Sequence, residues 1–208
     1  MSEVNLNPVF EGFRRKMGNL VFVVSEGDTF ARRYRKAAQP NTLKQQEVKA
    51  SFKALFAVWK ESGELHHRVW TRIARTKKRL RGHSAFIGAN ANAMREGTAL
   101  ELFREFGERR IESFAAETGA APGEVRISFV AESLRGGKHL TLFAERLDDR
   151  TAENGFIRRD LGTGVNPGHV VSGLVSGAEY HLYAVVTDAA YPSAQTASAS
   201  VAARVKAG

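Results

Sequence analysis

Seven residues decide the fold of the second half of this chain: Leu174-Val175-Ser176-Gly177-Ala178-Glu179-Tyr180. They join two apolar runs, at 169–174 and 180–188, which have the length and composition of β-strands. Further strands are predicted on either side, at 125–129, 139–147, 155–160 and 197–205. Several short strands at near-regular spacing are typical of a β-sandwich.

The same seven residues resemble the L-x-P-G-x-x-Y signature of fibronectin type III domains. Leu174, Gly177 and Tyr180 match the signature, and Ser176 replaces its proline. The family's early-strand tryptophan is missing, and Phe129 stands in for it. The resemblance covers about residues 124–206. It implies a corner hydrogen bond from the tyrosine and a spacer or contact module, without chemistry of its own.

The first half predicts a small β-meander followed by helices. Strands are predicted at 9–15, 20–25 and 29–36, and helices at 43–61, 64–80 and 85–95, the third capped by Ser84 and ended by Gly97. A capping box at 98–101 predicts a fourth helix reaching about residue 118. Apolar spacing predicts two core stripes, in the first and fourth helices: Val48, Phe52, Leu55, Phe56 and Trp59, and Leu100, Phe103, Phe106 and Phe114. The sequence therefore predicts an α+β protein of two domains, at 1–120 and 121–208.

This first half is also similar to an uncharacterised bacterial family with a short β-meander, a basic helical module and often a following β-sandwich. The matching residues are Gly18-Asn19-Leu20-Val21, Arg32-Arg33, the segment from Pro40-Asn41-Thr42 to Gln45 and Gln46, Trp59, Trp70, Ala74, Ser84, Phe86 and Asn90. The resemblance implies a shared arrangement and no activity.

Positive charge is concentrated in the first half. Residues 1–98 hold 19 lysines and arginines against 8 acidic residues, whereas residues 111–208 hold 9 against 11. Such an asymmetry suggests one module that faces a polyanion and one that does not. No stretch approaches 18 apolar residues, so no membrane span is predicted.

Four arginines, Arg68, Arg72, Arg75 and Arg79, form one stripe of the predicted second helix. Leu65, Val69 and Ile73 lie on the opposite face, so one side can bury while the other presents guanidinium groups. Guanidinium matches phosphate with a rigid pair of donors, which favours phosphate contacts over a merely solvated face. The complete predicted nucleic-acid-binding set is Arg14, Arg15, Lys16, Arg32, Arg33, Arg35, Lys36, Lys49, Lys53, Arg68, Arg72, Arg75, Lys77, Lys78, Arg79 and Arg81.

Catalytic and metal-binding patterns are not evident. The chain has no cysteine, which excludes disulfides and thiolate chemistry. His66 and His67 are adjacent, so on a helix they point apart, and they are interpreted as surface histidines near a phosphate contact. Residues 162–164 read as a turn rather than a dinucleotide fingerprint. Acidic residues at 148–160 fit a solvated loop. No enzyme activity, metal or cofactor is predicted.

The leading interpretation is a structural, non-enzymatic protein that binds double-stranded DNA without strong sequence preference, while the sandwich mediates protein–protein contacts in a homo-oligomer or polymer. DNA is favoured over RNA. The alternative is a subunit of a phage particle or filament whose basic face meets an acidic protein partner. Peripheral binding to anionic membranes is weaker, because the basic helix lacks a free apolar face. A cytoplasmic, nucleoid or virion location is expected, since the sequence begins without a signal-peptide pattern.

Overall fold

The computed structural model describes residues 2–3, 15–17, 19–25, 28–35, 42–76, 81–104, 111, 113–130, 134, 136–150, 155–191 and 193–208. The chain divides into two compact units, 1–42 and 43–208. The predicted boundary between residues 120 and 121 falls inside the second unit. The protein is of mixed α+β class, as predicted.

The first unit contains a four-stranded antiparallel sheet. Its strands are β1 (Ser2–Glu3), β2 (Arg15–Met17), β3 (Leu20–Ser25) and β4 (Asp28–Arg33), in the order β1, β4, β3, β2. The β3–β4 hairpin pairs from Leu20 opposite Arg33 to Ser25 opposite Asp28. The predicted meander is confirmed for this hairpin. The strand predicted at 9–15 meets the described residues only at Arg15, where β2 begins.

Three helices open the second unit: α1 (Leu43–Glu61), α2 (Gly63–Thr76) and α3 (Gly82–Glu96). The bounds of α1 match the prediction. Helix α3 begins two residues before Ser84, with Arg81 as its N-cap, so the predicted Ser84 cap is wrong. Gly97 ends α3 in the left-handed region at φ 71°, which a residue without a Cβ adopts at little cost.

The core stripe predicted for α1 is wrong in part. Leu55 is buried and Trp59 is half-buried, but Val48, Phe52 and Phe56 are 39%, 48% and 45% exposed. The buried face of α1 is instead made by Ala54, Leu55 and Val58. These three side chains join the core that α1 shares with α2 and α3, and the larger apolar side chains of the exposed face remain outside it.

In the described residues, seven strands form the β-sandwich that follows: β5 (Ala115–Thr118), β6 (Val125–Ser128), β7 (His139–Arg146), β8 (Phe156–Gly162), β9 (His169–Val171), β10 (Glu179–Thr187) and β11 (Val201–Lys206). One sheet has the order β11, β10, β7, β8 and the other β5, β6, β9, with antiparallel pairing throughout. The predicted β-sandwich is confirmed. Its corner is confirmed as well, because the Tyr180 hydroxyl accepts a hydrogen bond from the Val175 N–H at 3.0 Å.

Strands β10 and β7, at the centre of the four-stranded sheet of the sandwich, are buried on both faces. Side chains alternate along a strand, so Leu140, Leu142 and Ala144 of β7 face the sandwich interior, whereas Phe143 packs with the helices. Strand β10 divides likewise, with Leu182 inside and Tyr183 toward the helical layer. The helices therefore cover the outer face of this sheet and share a hydrophobic core with it.

The predicted fourth helix is wrong where the structure describes its residues. Residues 98–104 are not helical, and β5 occupies Ala115–Thr118; Phe106 lies outside the described residues. The predicted capping box does not form, because the Thr98 N–H bonds to Ala93 O in the C-terminal turn of α3. Tertiary partners satisfy the backbone instead: Trp70 Nε1 donates to Leu102 O, and Ser200 Oγ accepts from the Phe103 N–H. Leu100, Leu102 and Phe103 are buried between helices and sandwich.

Candidate nucleic-acid interface

Helix α2 carries the centre of the predicted site, and its two faces differ as the sequence indicated. Leu65, Val69 and Trp70 are buried, and Ile73 packs against the same core. This burial fixes the rotation of the helix, so its arginines must face away from the core. Hydrophobic packing therefore places the arginine stripe on the face opposite the core.

The stripe does not act as one unit, because Arg68 is held by the sandwich. Its Nη1 donates to Gln195 Oε1 and its Nη2 to Ala194 O, both at 2.6 Å. Arg68 is half-buried, whereas Arg72 and Arg75, one and two turns further along, are exposed. The exposed part of the stripe thus begins at Arg72. Arg79 lies outside the described residues, as do Lys77 and Lys78.

The start of α3 adds Arg81 to the same region. A Cβ on Gly82 would lie 2.6 Å from Thr71 Oγ1 and 3.0 Å from Thr71 N, so only glycine allows this close approach of α3 to α2. Arg72 follows Thr71 and Arg81 precedes Gly82, so both arginines flank this helix–helix contact. Arg81 is exposed, and no side-chain hydrogen bond caps the first turn of α3. Arg72, Arg75 and Arg81 are named below the α2–α3 arginine cluster.

Helix α1 supplies the predicted lysines. Lys49 and Lys53 are exposed, as is Lys60, and the helical repeat places all three on one face. By the same repeat Glu47 lies nearly opposite Lys49, and Glu61 lies about 100° around the helix from Lys60. This face of α1 is therefore uniformly cationic.

The remaining predicted cations belong to the first unit. Arg32 and Arg33 lie on β4 and Arg35 follows it, and all three are exposed. Consecutive strand residues point to opposite faces, so Arg32 and Arg33 do not share a face. Arg15 and Lys16 lie on β2. Arg14 and Lys36 are outside the described residues.

His66 is buried, not exposed, which corrects the interpretation of both adjacent histidines as surface groups. Its ring is enclosed by Trp59, Trp70, Phe86 and Phe103, and neither ring nitrogen has a hydrogen-bond partner. Burial, with a smaller contribution from neighbouring His67, lowers the pKa of His66 to about 3. It lies one residue from Leu65 and four from Trp70, and that helical spacing is the signal that could have placed it in the core.

His67 is half-buried and stacks on Trp59, with ring centroids 4.3 Å apart. Its Nε2 lies 2.7 Å from Trp59 O. These contacts hold the α1–α2 hairpin together. His67 is therefore engaged within the fold rather than directed toward a ligand.

A polar cluster between the layers was not anticipated from the sequence. Buried Glu145 accepts a 2.6 Å hydrogen bond from the Tyr183 hydroxyl, which itself accepts from the Leu100 N–H at 2.9 Å. Arg150 Nε lies 3.4 Å from Glu145 Oε1 and its Nη1 donates to Met94 O. Burial, and then the Glu145 charge, raises the pKa of Tyr183. The sequence signal for this cluster was Glu145 itself. It lies two residues from Phe143 on a predicted apolar strand, where a buried carboxylate requires polar partners.

This cluster ties the end of α3 to β7 and β10. A neighbouring cleft of about 470 Å³ includes Arg150, Asp148, Glu179 and Arg204 in its lining. Arg204 pairs with Glu179, and Arg146 with Asp148, so acidic and basic groups compensate each other there. Within the described residues, no group of three or more histidine or acidic side chains could hold a metal ion.

No helix in the described part of the chain is long and apolar enough to cross a bilayer. No protein-family profile and no curated protein sequence matches the chain. The resemblance of the first half to an uncharacterised bacterial family therefore has no support from these comparisons.

Solved structures similar to the chain align with about half of it. The fibronectin type III domain of human collagen alpha-1(XX) chain is 14% identical, over 49% of this chain and 88% of that domain, with a TM-score of 0.36. The FN5 domain of Drosophila Lar is 15% identical, over 49% of this chain and all of that domain, with a TM-score of 0.33.

A family 76 glycoside hydrolase from a bovine Bacteroides thetaiotaomicron strain is also similar. It is 10% identical over 48% of this chain, with a TM-score of 0.39. The chain spans 20% of that hydrolase.

Proposed function

We propose that this protein binds double-stranded DNA without strong sequence preference, as a structural and non-enzymatic component. The contacts would be made by the cations of its first half to the phosphates, and the sandwich would mediate contacts between protein subunits. Phosphate contacts supply affinity and position but no sequence information. The proposal therefore predicts similar affinities for unrelated duplexes.

The observation that carries the proposal is the α2–α3 arginine cluster. Three exposed arginines lie around one tight helix–helix contact, while the opposite face of α2 is buried in the core. The backbone that carries these arginines is fixed by helix packing, so phosphate binding orders side chains but not the backbone. Lysines of α1 would extend the contact along the polyanion.

Titrating the full chain against two labelled duplexes of unrelated sequence, from 50 to 200 mM salt, tests this function. With about six phosphates neutralised, the log–log salt slope should be about −5. Equal affinities for both duplexes and a slope of that size are expected. Absence of binding to either duplex at the lowest salt would overturn the proposal.

The phage-particle or filament alternative makes the opposite prediction about nuclease. If the cations meet an acidic protein, assemblies isolated from the source cells should survive DNase and RNase treatment. If they meet nucleic acid, nuclease should disperse the assemblies, and protein purified without nuclease should show a raised 260/280 nm absorbance ratio.

A further inference from the structure

The exposed side of α1 carries a row of apolar side chains that the core does not use. Val48, Phe52 and Phe56 follow one another at intervals of four residues, so they line one strip of the helix. Between 39% and 48% of each residue is exposed. Scattered apolar residues are ordinary on a surface, whereas an aligned exposed apolar row with two aromatic rings is the kind of patch that marks interaction sites.

The row lies beside the lysine face of α1. Lys60 Nζ is 5.5 Å from the centroid of the Phe56 ring, a cation–π contact that places a positive charge at the end of the row. Lys49 and Lys53 lie on the adjoining face along its length. Aromatic faces bordered by cations are complementary to one polymer in particular, a strand with flat bases and a phosphate backbone.

A cleft continues the row toward the start of α1. It has a volume of about 510 Å³ and lies between the first half of α1 and the end of α3. Its lining includes Val48 together with Lys44 and Arg95, and one carboxylate, Glu47. Space for a further nucleotide thus lies next to two more cations.

We propose that Phe52 and Phe56 stack with unpaired bases, so that this face of α1 binds single-stranded nucleic acid. Side chains four residues apart are separated by about 6 Å at Cβ, whereas stacked bases in a duplex are about 3.4 Å apart. The row therefore fits a strand whose bases have separated. A duplex offers only base edges in its grooves, so it cannot use these rings.

This inference rests on the proposed function only for the general attraction to phosphate; the rings add a preference that the arginine cluster does not provide. The test compares a labelled 20-nucleotide oligo(dT) with a 20-bp duplex, using the full chain. The informative variant is Phe52→Leu with Phe56→Leu, which keeps apolar side chains but removes the aromatic faces. Val170→Leu with Val175→Leu, at two similarly exposed apolar positions of the sandwich, is the matched control.

Loss of both rings should weaken oligo(dT) binding by up to about 25-fold, because about fivefold per stacked base is the lower limit for substitution by alanine, and leucine keeps part of the apolar contact. Duplex affinity should change less than twofold, and the control should change neither. The variant Phe52→Trp with Phe56→Trp keeps aromatic faces and should bind oligo(dT) as the wild-type protein does. Unchanged circular dichroism should show that each variant folds.

Equal oligo(dT) affinity in wild-type protein and the leucine variant would overturn the stacking proposal. So would wild-type protein that binds the duplex but not oligo(dT), a result that leaves the duplex function intact. Binding to neither would overturn both proposals. Binding of vesicles containing phosphatidylserine, retained by the leucine variant while oligo(dT) binding is absent, would assign the row to a lipid surface instead.

Discussion

Arg68 and Gln195 are joined across 127 positions of sequence by a 2.6 Å hydrogen bond from Nη1 to Oε1. Together with the bond from Nη2 to Ala194 O, it fastens α2 to the loop before β11. The first arginine of the stripe therefore acts within the protein, whereas Arg72 and Arg75 after it are exposed. This division separates the stability of the fold from the proposed DNA contact.

Replacing Arg68 with glutamine should lower the free energy of unfolding without weakening DNA binding. Two hydrogen bonds to a charged donor are lost, and the partly exposed site limits the cost to about 1–3 kcal/mol. Denaturant unfolding and duplex titration of the same variant check both parts. Weakened DNA binding with an unchanged unfolding midpoint would assign Arg68 to the interface.

Replacing Tyr180 with phenylalanine should destabilise the sandwich by about 1–2 kcal/mol, because the Val175 N–H loses its 3.0 Å partner. DNA affinity should not change, since the corner lies in the sandwich and the proposed contacts lie in the first half of the chain. Thermal unfolding of the full chain measures the effect. An unchanged melting temperature would show that the corner bond contributes nothing.

Stability should fall in mild acid because of His66. Its folded pKa of about 3 lies below the unfolded value of 6.5, so between these pH values only the unfolded state takes up the proton. The contribution of neutral His66 to the free energy of unfolding is fully present above about pH 6.5. It should decline as the pH falls toward 3, by about 1.4 kcal/mol per pH unit at most.

His66→Leu is the control for that decline, because it keeps an apolar side chain in the aromatic enclosure and cannot be protonated. Urea unfolding of both proteins at pH 7, 6, 5 and 4.5 gives the comparison. The wild-type protein should lose more stability than the variant across this range. Parallel curves would mean that His66 is protonated equally in both states.

The sequence predicted the strands best where tertiary packing reinforces local pattern. Strands β7 and β10 were placed to within about one residue, because burial on both faces gives long apolar runs bounded by turns. Helix α1 was bounded correctly by its break at 40–42 and by Gly63. The exposed face of α1 was predicted wrongly, since apolar spacing does not reveal which of two apolar strips of a helix meets the core.

The segment 98–104 shows why the remainder could not be predicted. Its apolar spacing and its Thr98–Glu101 pair suit a helix, but Trp70 Nε1 and the Ser200 hydroxyl bind its backbone. Those partners are remote in sequence, and a local pattern carries no information about them. The prediction for the arginine stripe was incomplete for the same reason. Spacing placed the four arginines in line, but it carried no information about Gln195, which binds Arg68.

The most direct test of the account is the salt dependence of duplex binding when Arg72 and Arg75 are both replaced by glutamine. The control is Arg126→Gln with Lys206→Gln, which removes two exposed cations of the sandwich. The account predicts weaker binding to unrelated duplexes by a similar factor, and a log–log salt slope that flattens by about two, while the control is unchanged. Unchanged affinity and slope in a folded Arg72→Gln and Arg75→Gln variant would contradict the central claim that these arginines bind phosphate.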